Sequence, residues 1–198
     1  MSSHFDHKAG EWDSEGKVAL MGKLAAKTKE LVKITPETKI MDFGCGTGLF
    51  GLELIDANQS LVGVDTSQGM LEVFDTKTQG HDNISSKLVN LEKESMEGKF
   101  DLIVSSMAFH HLDHPEKMVH TLKSLLSENG SMAIVDLEKE DGSFHPSPEE
   151  MGVKHFGFSN KEIQAWAESA GLKVEIHHIN ELEKNDKTYG QFLAHFSM

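Results

Sequence analysis

The stretch Asp42-Phe43-Gly44-Cys45-Gly46-Thr47-Gly48 decides the fold. It closes a short apolar run, Lys39-Ile40-Met41-Asp42-Phe43, and leads into Leu49 to Ile55, which reads as helix. A buried strand that feeds a glycine-rich turn lets the chain bend tightly. It also lets a ligand approach where no Cβ stands in the way. Nineteen residues after Gly46, Asp65 ends the next apolar run, Ser60-Leu61-Val62-Gly63-Val64-Asp65. An acid there can accept both hydroxyls of a ribose. Gly46-x-Gly48-x-x-Gly51 also fits the dinucleotide fingerprint, so the turn alone leaves the nucleoside ligand open. Asp42 bears on the choice, because a carboxylate ahead of the glycines attracts a cationic amino-acid moiety and repels a pyrophosphate. The chain also lacks a Tyr-x-x-x-Lys pair for hydride chemistry: four residues after its one tyrosine, Tyr189, stands Leu193.

Outward from this turn, strand-like and helix-like stretches alternate. Glu15 to Lys33 repeats its apolar positions near every 3.6 residues and reads as an amphipathic helix. Gln68 to Thr78 and Pro115 to Leu126 read as helices, the second with proline in its first turn. Ser85 to Asn90, Phe100 to Ser106 and Ser131 to Leu137 read as strands, with Glu128-Asn129-Gly130 as a stop ahead of the last. Ser159, followed by Glu162, begins a helix that Gly171 ends. Val174 to Ile179 and Tyr189 to Phe196 are two further strands with no helix between them. The pattern predicts one α/β domain over 1–198. It is Rossmann-like and doubly wound, a mostly parallel seven-stranded sheet with helices on both faces and an antiparallel C-terminal strand. Residues 1–35 are expected to form an N-terminal lid and helix, and residues 138–158 a substrate-side cap or loop.

Composition narrows the function classes. The 198 residues carry 19 basic and 32 acidic side chains, a formal net charge of −13, and every basic residue is lysine. Such a chain is a poor match to phosphate backbones or base edges, and anionic membrane repels it. No apolar run approaches the roughly 18 residues of a membrane span. The N-terminal stretch holds no signal-peptide core, so a cytoplasmic location is expected. One cysteine, Cys45, excludes an internal disulfide and a cysteine-based zinc site.

An ordered set of motifs then carries a resemblance. Asp42-Phe-Gly-Cys-Gly-Thr-Gly48 is followed by Val62-Gly-Val-Asp65 and Asn90-Leu-Glu. Phe100-Asp-Leu-Ile-Val104 and Phe109-His-His-Leu112 complete the set. Together they resemble the class I S-adenosylmethionine-dependent methyltransferases, most of all small-molecule enzymes of the ubiquinone/menaquinone-biosynthesis type. Phe5-Asp6 and Trp12-Asp13 resemble the segment that folds over the cofactor in such enzymes. The resemblance implies S-adenosylmethionine as cofactor. Gly44, Cys45, Gly46 and Gly48 would pass beneath it, Asp42 would lie near its ammonium, and Asp65 would take the ribose hydroxyls. It places Thr66, Ser67 and Met70 beside the adenosine, Asn90 and Leu91 at the adenine, Ser105 and Ser106 at the methionine end, and Trp12 in the lid. The acceptor it implies is a small molecule.

A base assists methyl transfer when the acceptor is a hydroxyl or an amine. His110 and His111, at the carboxyl end of the fourth strand, are the expected catalytic pair, since imidazole titrates near neutral pH. Phe109, His145 and His155 are the expected substrate contacts. No metal is expected, because Pro115 argues against a helix carrying His110 and His114 together. The absence of arginine disfavours acceptors held by bidentate clamps. Two other classes remain open in the sequence: a nicotinamide-dependent oxidoreductase and a non-catalytic cofactor-binding module. The oligomeric state is not legible.

Overall fold

Ile40 and Met41 are neighbours that point to opposite faces of one strand, and both are fully buried. That double burial is what a central strand covered on both sides requires. The computed structural model describes residues 2–56, 59–184 and 186–198, and of residues 2–4 the backbone alone. Among the described residues, one sheet holds β1 (Lys39–Phe43), β2 (Ser60–Asp65), β3 (Ile84–Leu88), β4 (Phe100–Ser106), β5 (Leu126–Leu137), β6 (Lys173–Lys184) and β7 (Lys187–Ser197). The order is β3-β2-β1-β4-β5-β7-β6. β1 to β5 pair in parallel, and β7 runs antiparallel between β5 and β6. The chain order reverses between β1 and β4, and a ligand crevice opens at the carboxyl ends of strands at such a point.

Helices α1 (Ser2–Lys8), α2 (Glu15–Leu31), α3 (Gly51–Leu54), α4 (Gln68–Lys77), α5 (Pro115–Ser124) and α6 (Asn160–Ala170) surround the sheet. On one face Leu24 of α2, Leu54 of α3 and Phe74 of α4 pack on Ile40, Leu61 and Leu102. On the other, Met118 and Leu122 of α5 and Ile163 and Trp166 of α6 pack on Met41, Ile103 and Met132. Each such fully buried side chain contributes about 2 kcal/mol of transfer free energy. The predicted ends of α6 are present. Ser159 and Glu162 form a reciprocal capping box, and Gly171 takes the left-handed conformation at φ 63°.

Several boundaries differ from expectation. α1 was not predicted. α3 is shorter than Leu49 to Ile55, because the turn after β1 continues to Phe50. β5 starts at Leu126, ahead of the expected stop. Its register against β4 jumps there from Phe100↔Leu126 to Leu102↔Ser131, so Glu128-Asn129-Gly130 is an irregularity within the strand. β6 and β7 form a longer hairpin than expected. The charged residues between them alternate along a paired arm, as in Glu183↔Thr188, in place of a loop.

Candidate active site

The turn after β1 sits under the carboxyl ends of β1, β2 and β4. Gly44, Gly46 and Gly48 all have positive φ, at 70°, 53° and 85°. A Cβ on Gly44 would stand 2.5 Å from the Ala108 Cβ, which brings the β4 exit against the turn. A Cβ on Gly46 would meet nothing within 4 Å and would fill the open cradle above the turn. Asp65 braces this cradle: its Oδ2 accepts the Gly46 N–H at 2.8 Å and its Oδ1 the Ser67 N–H at 2.9 Å. The Thr66 N–H favours the ionised carboxyl as well, and of the roughly four acceptor positions of a carboxylate this leaves at least one for a hydroxyl donor. Burial raises the Asp65 carboxyl above its usual range.

Asp42 is buried beneath the same turn, and its Oδ2 accepts the Gly51 N–H at 3.1 Å. Burial pushes its carboxyl up to about 7, the Gly51 N–H opposes this, and Asp65 adds to it. Two carboxylates this close to one cradle favour a cationic ligand. A pyrophosphate would need the N–H groups at the start of α3, and Asp42 already occupies one of them.

The second half of the site is a cluster of imidazoles. Phe109–His111 form a single 3-10 turn after β4. His110 is 1% exposed, and its Nδ1 lies 2.7 Å from Oδ1 of Asp136 on β5. The other Asp136 oxygen accepts the His110 backbone N–H at 3.2 Å, and Oδ1 also accepts the Leu137 N–H at 2.7 Å. Burial works to raise Asp136, but the contacts with His110 outweigh it and hold the carboxyl below its usual range. Asp136 is thus an ionised acceptor, so the proton on His110 sits on Nδ1. The rings of His111 and His145 lie 4.2 and 4.9 Å from that of His110. Burial, with His110 beside them, lowers both to about 4. His111 Nδ1 donates to the Gly152 carbonyl at 3.1 Å, and the buried His145 Nδ1 has no partner.

Two chain segments enclose these halves. Asp6 of α1 accepts from Ser67 Oγ at 2.6 Å and from the Gly69 N–H at 3.1 Å. Asp13 accepts from Thr47 Oγ1 and pairs with Lys77, each at 2.5 Å. Phe5 meets the ring of His111 edge-on at 5.3 Å. On the opposite side the hairpin arm holds residues 140–145. Tyr189 Oη bonds Ser143 Oγ at 2.7 Å, and Lys184 Nζ donates to the Phe144 carbonyl at 2.6 Å.

A family model described as a methyltransferase domain matches residues 16–177. The chain belongs to the methyltransferase domain family. S-adenosylmethionine is the cofactor of this family, and the cationic, ribose-bearing ligand that the cradle suits agrees with it. An uncharacterized methyltransferase of Schizosaccharomyces pombe is 32% identical over 149 residues, 67% of this chain and 52% of that protein. A malonyl-[acyl-carrier protein] O-methyltransferase of a Paenibacillus species is 29% identical over 50% of this chain and 38% of its own length. The chain thus spans about half or less of these curated relatives. Among solved structures, a chain from the complex of the Haloferax volcanii Trm112 methyltransferase activator with its methyltransferase superposes with a TM-score of 0.83 at 18% identity. It covers 98% of this chain and 96% of that one. A SAM dependent methyltransferase from Aquifex aeolicus gives 0.68 at 21% identity over 96% and 97%. The methyltransferase family assignment overturns the nicotinamide oxidoreductase reading.

Cys45 is buried in the turn and burial raises its thiol well above the usual range, which leaves a packed and inert side chain. Ser67 caps α4 by accepting the Met70 N–H, and its hydroxyl donates to the lid. Met70 and Leu91 are buried, and Thr66 is exposed. The Asn90 amide oxygen accepts the Glu92 N–H at 3.0 Å, an engagement that competes with an adenine role. Ser105 Oγ donates to the Phe43 carbonyl, and Ser106 Oγ contacts Met21 Sδ. Trp12 is half-buried in the lid with Lys17 Nζ 3.2 Å over its ring.

Two expected substrate contacts have ring partners of their own in the structure. Phe109 is fully buried between Phe43 and Trp166, so its ring has no surface for a substrate. The His155 ring bonds the Leu112 carbonyl through Nε2 at 3.0 Å and packs on Phe158, while its backbone N–H donates to the His110 carbonyl at 3.1 Å. His145 does join the cluster. Asp136 was not anticipated, and a charged residue at the end of an otherwise apolar strand was its one signal. Among the described residues, no three His, Cys, Asp or Glu side chains are grouped to hold a metal.

Proposed function

We propose that this chain transfers a methyl group from S-adenosylmethionine to a small-molecule acceptor bound over the imidazole cluster. The open cradle over Gly46, braced by Asp65, is the observation that carries this reading. When bound, the cofactor supplies a methyl group on a positively charged sulfur. The residues do the rest. The backbone of Gly44, Cys45, Gly46 and Gly48 lets the ligand lie close. Asp65 takes the ribose hydroxyls, and Asp42 offsets the positive charge from below. Thr66, Ser67, Met70, Asn90 and Leu91 flank the adenosine, while Ser105 and Ser106 line the methionine end. Residues 2–14 act as a lid that excludes water, tied down through Asp6 and Asp13. Residues 140–145 form a cap on the acceptor side. Enclosure by lid and cap supports an acceptor of small size, delivered in line with the methyl group. Among the described residues no helix is long and apolar enough to cross a membrane, and with the acidic, arginine-free composition this supports a cytoplasmic enzyme.

Isothermal titration with S-adenosylhomocysteine tests the reading. Binding is expected, and Asp65→Asn is expected to weaken it at least tenfold, since a charge-assisted hydrogen bond is worth about 1.5–3 kcal/mol. No heat of binding at millimolar ligand refutes it.

A further inference from the structure

Of the three imidazoles, one is built differently from the others. His110 alone has a carboxylate on its ring, Asp136 at 2.7 Å, and that carboxylate is held by three N–H donors. His111 is anchored by a neutral carbonyl, and His145 by no hydrogen bond at Nδ1. An ionised carboxylate on Nδ1 fixes the tautomer of the neutral ring, so its lone pair is on Nε2. That Nε2 has no hydrogen-bond partner among the described residues, in a side chain that is otherwise enclosed. Asp136 also offsets the charge of the imidazolium once a proton arrives. Such a pair is of no use to an acceptor that is already ionised, as a carboxylate is at neutral pH. It serves an acceptor that keeps its proton until the methyl group moves.

We propose that His110 Nε2 is the general base of this site, that Asp136 is its positioning residue, and that the acceptor is a neutral hydroxyl compound. This rests on the methyltransferase reading above. In the step, the O–H bond of the acceptor breaks and its proton passes to Nε2. The acceptor oxygen uses the freed pair to take the methyl group, whose former bonding pair stays on the cofactor sulfur. Charge balances across the site: the cofactor sulfur becomes neutral as it keeps the bonding pair, the ring becomes positive with the proton that the acceptor loses, and Asp136 stays ionised beside it. The neutral rings of His111 and His145 add no competing charge, and their faces, with Phe5 of the lid, wall the hydroxyl from water.

The test uses the whole chain saturated with S-adenosylhomocysteine, and 4-nitrophenol as probe, because its ionised form absorbs visible light. Bound nitrophenol is expected to shift toward the phenolate spectrum at a pH below its own midpoint. His110→Gln should abolish the shift, and Asp136→Asn should reduce it at least tenfold. Benzoate, already ionised, should compete at least tenfold more weakly. Histidine nitrogen NMR on the unmutated protein is expected to show the His110 ring as the Nδ1–H tautomer, a readout that does not depend on either variant folding. Nitrophenol that binds without ionising, or fails to bind while S-adenosylhomocysteine binds, overturns the base and its acceptor class and leaves the cofactor reading standing. A His110 ring protonated on Nε2 alone overturns the dyad directly. Failure of S-adenosylhomocysteine to bind overturns the methyltransferase reading and this inference with it.

Discussion

Replacing His145 by phenylalanine should flatten the acid sensitivity of the fold. His145 is 8% exposed and lowered to about 4 by burial, with His110 and Lys184 adding to the shift and Asp136 opposing it. Its ring also meets Phe144 and His111. In the unfolded chain the same ring titrates near 6.5. At pH 5, therefore, the unfolded chain binds a proton here and the folded chain does not. A histidine lowered on folding leaves stability intact above its unfolded value and removes it as pH falls. Integrating the difference in bound protons from pH 7 to pH 5 gives a loss of about 2 kcal/mol from this one ring. His111, lowered to about 4 as well, contributes a similar loss. Asp42 has the opposite sign. Its folded value of about 7 lies above its unfolded one, so acidification over the same interval returns about 2 kcal/mol. The Asp42 contribution is common to the wild type and the variant, and so is the His111 contribution apart from the smallest of its causes, His145 itself. Urea denaturation followed by circular dichroism, at half-unit steps from pH 7 to 5, isolates the His145 contribution. The expected result is a His145→Phe protein whose loss of stability is smaller than the wild type's by about 2 kcal/mol. Identical slopes for the two proteins would refute a neutral, buried His145.

Two further substitutions separate the cradle from its surroundings. Gly44→Ala forces a Cβ to within 2.5 Å of Ala108 at φ 70°, so thermal denaturation should show a loss of about 2 kcal/mol or more. Gly46→Ala meets no neighbour, so stability should fall by only about 1 kcal/mol, while calorimetry should show S-adenosylhomocysteine affinity falling tenfold or more. Asp6→Ala removes the bonds to Ser67 and Gly69, and amide exchange in residues 5–11 should quicken at least tenfold while exchange in β1 and β4 stays unchanged.

The fold was legible because its signals are local. The apolar runs ending at Phe43, Asp65 and Ser106 each carry their burial in a few consecutive residues, and Ser159 with Glu162 marks a helix start within four. The misread boundaries depend on partners far along the chain. Glu128-Asn129-Gly130 has the composition of a stop, yet pairing with Phe100 on one side and Leu102 on the other keeps the strand continuous across it. The arm beyond Ile179 is polar because it extends past the core; its strands pair through the backbone with Thr188 on Glu183, and Lys187 ties it to Asp141 of the cap. Polarity there reports distance from the core, and the hairpin pairing survives it.

In the site, the cradle was legible and the imidazole cluster only in part, for a geometric reason. A 3-10 turn rotates each residue by about 120°. Phe109, His110 and His111 are consecutive, yet they face the core, Asp136 on β5 and the lid. Sequence adjacency therefore grouped two imidazoles that do meet, at 4.2 Å, with Phe109, whose ring the core encloses. The partner that distinguishes His110 lies 26 residues away in Val135-Asp136-Leu137, where one acid among apolar neighbours carries no pattern of its own. What makes Asp136 significant is a cost: a carboxylate with no exposed surface is tolerated only when donors surround it. Its donors are the backbone of Leu137 and both the backbone and the ring of His110, so the same contacts that make burial of the acid tolerable also fix the direction of the imidazole. Aligning a base and stabilising a buried charge are here one arrangement, and removing either partner undoes both.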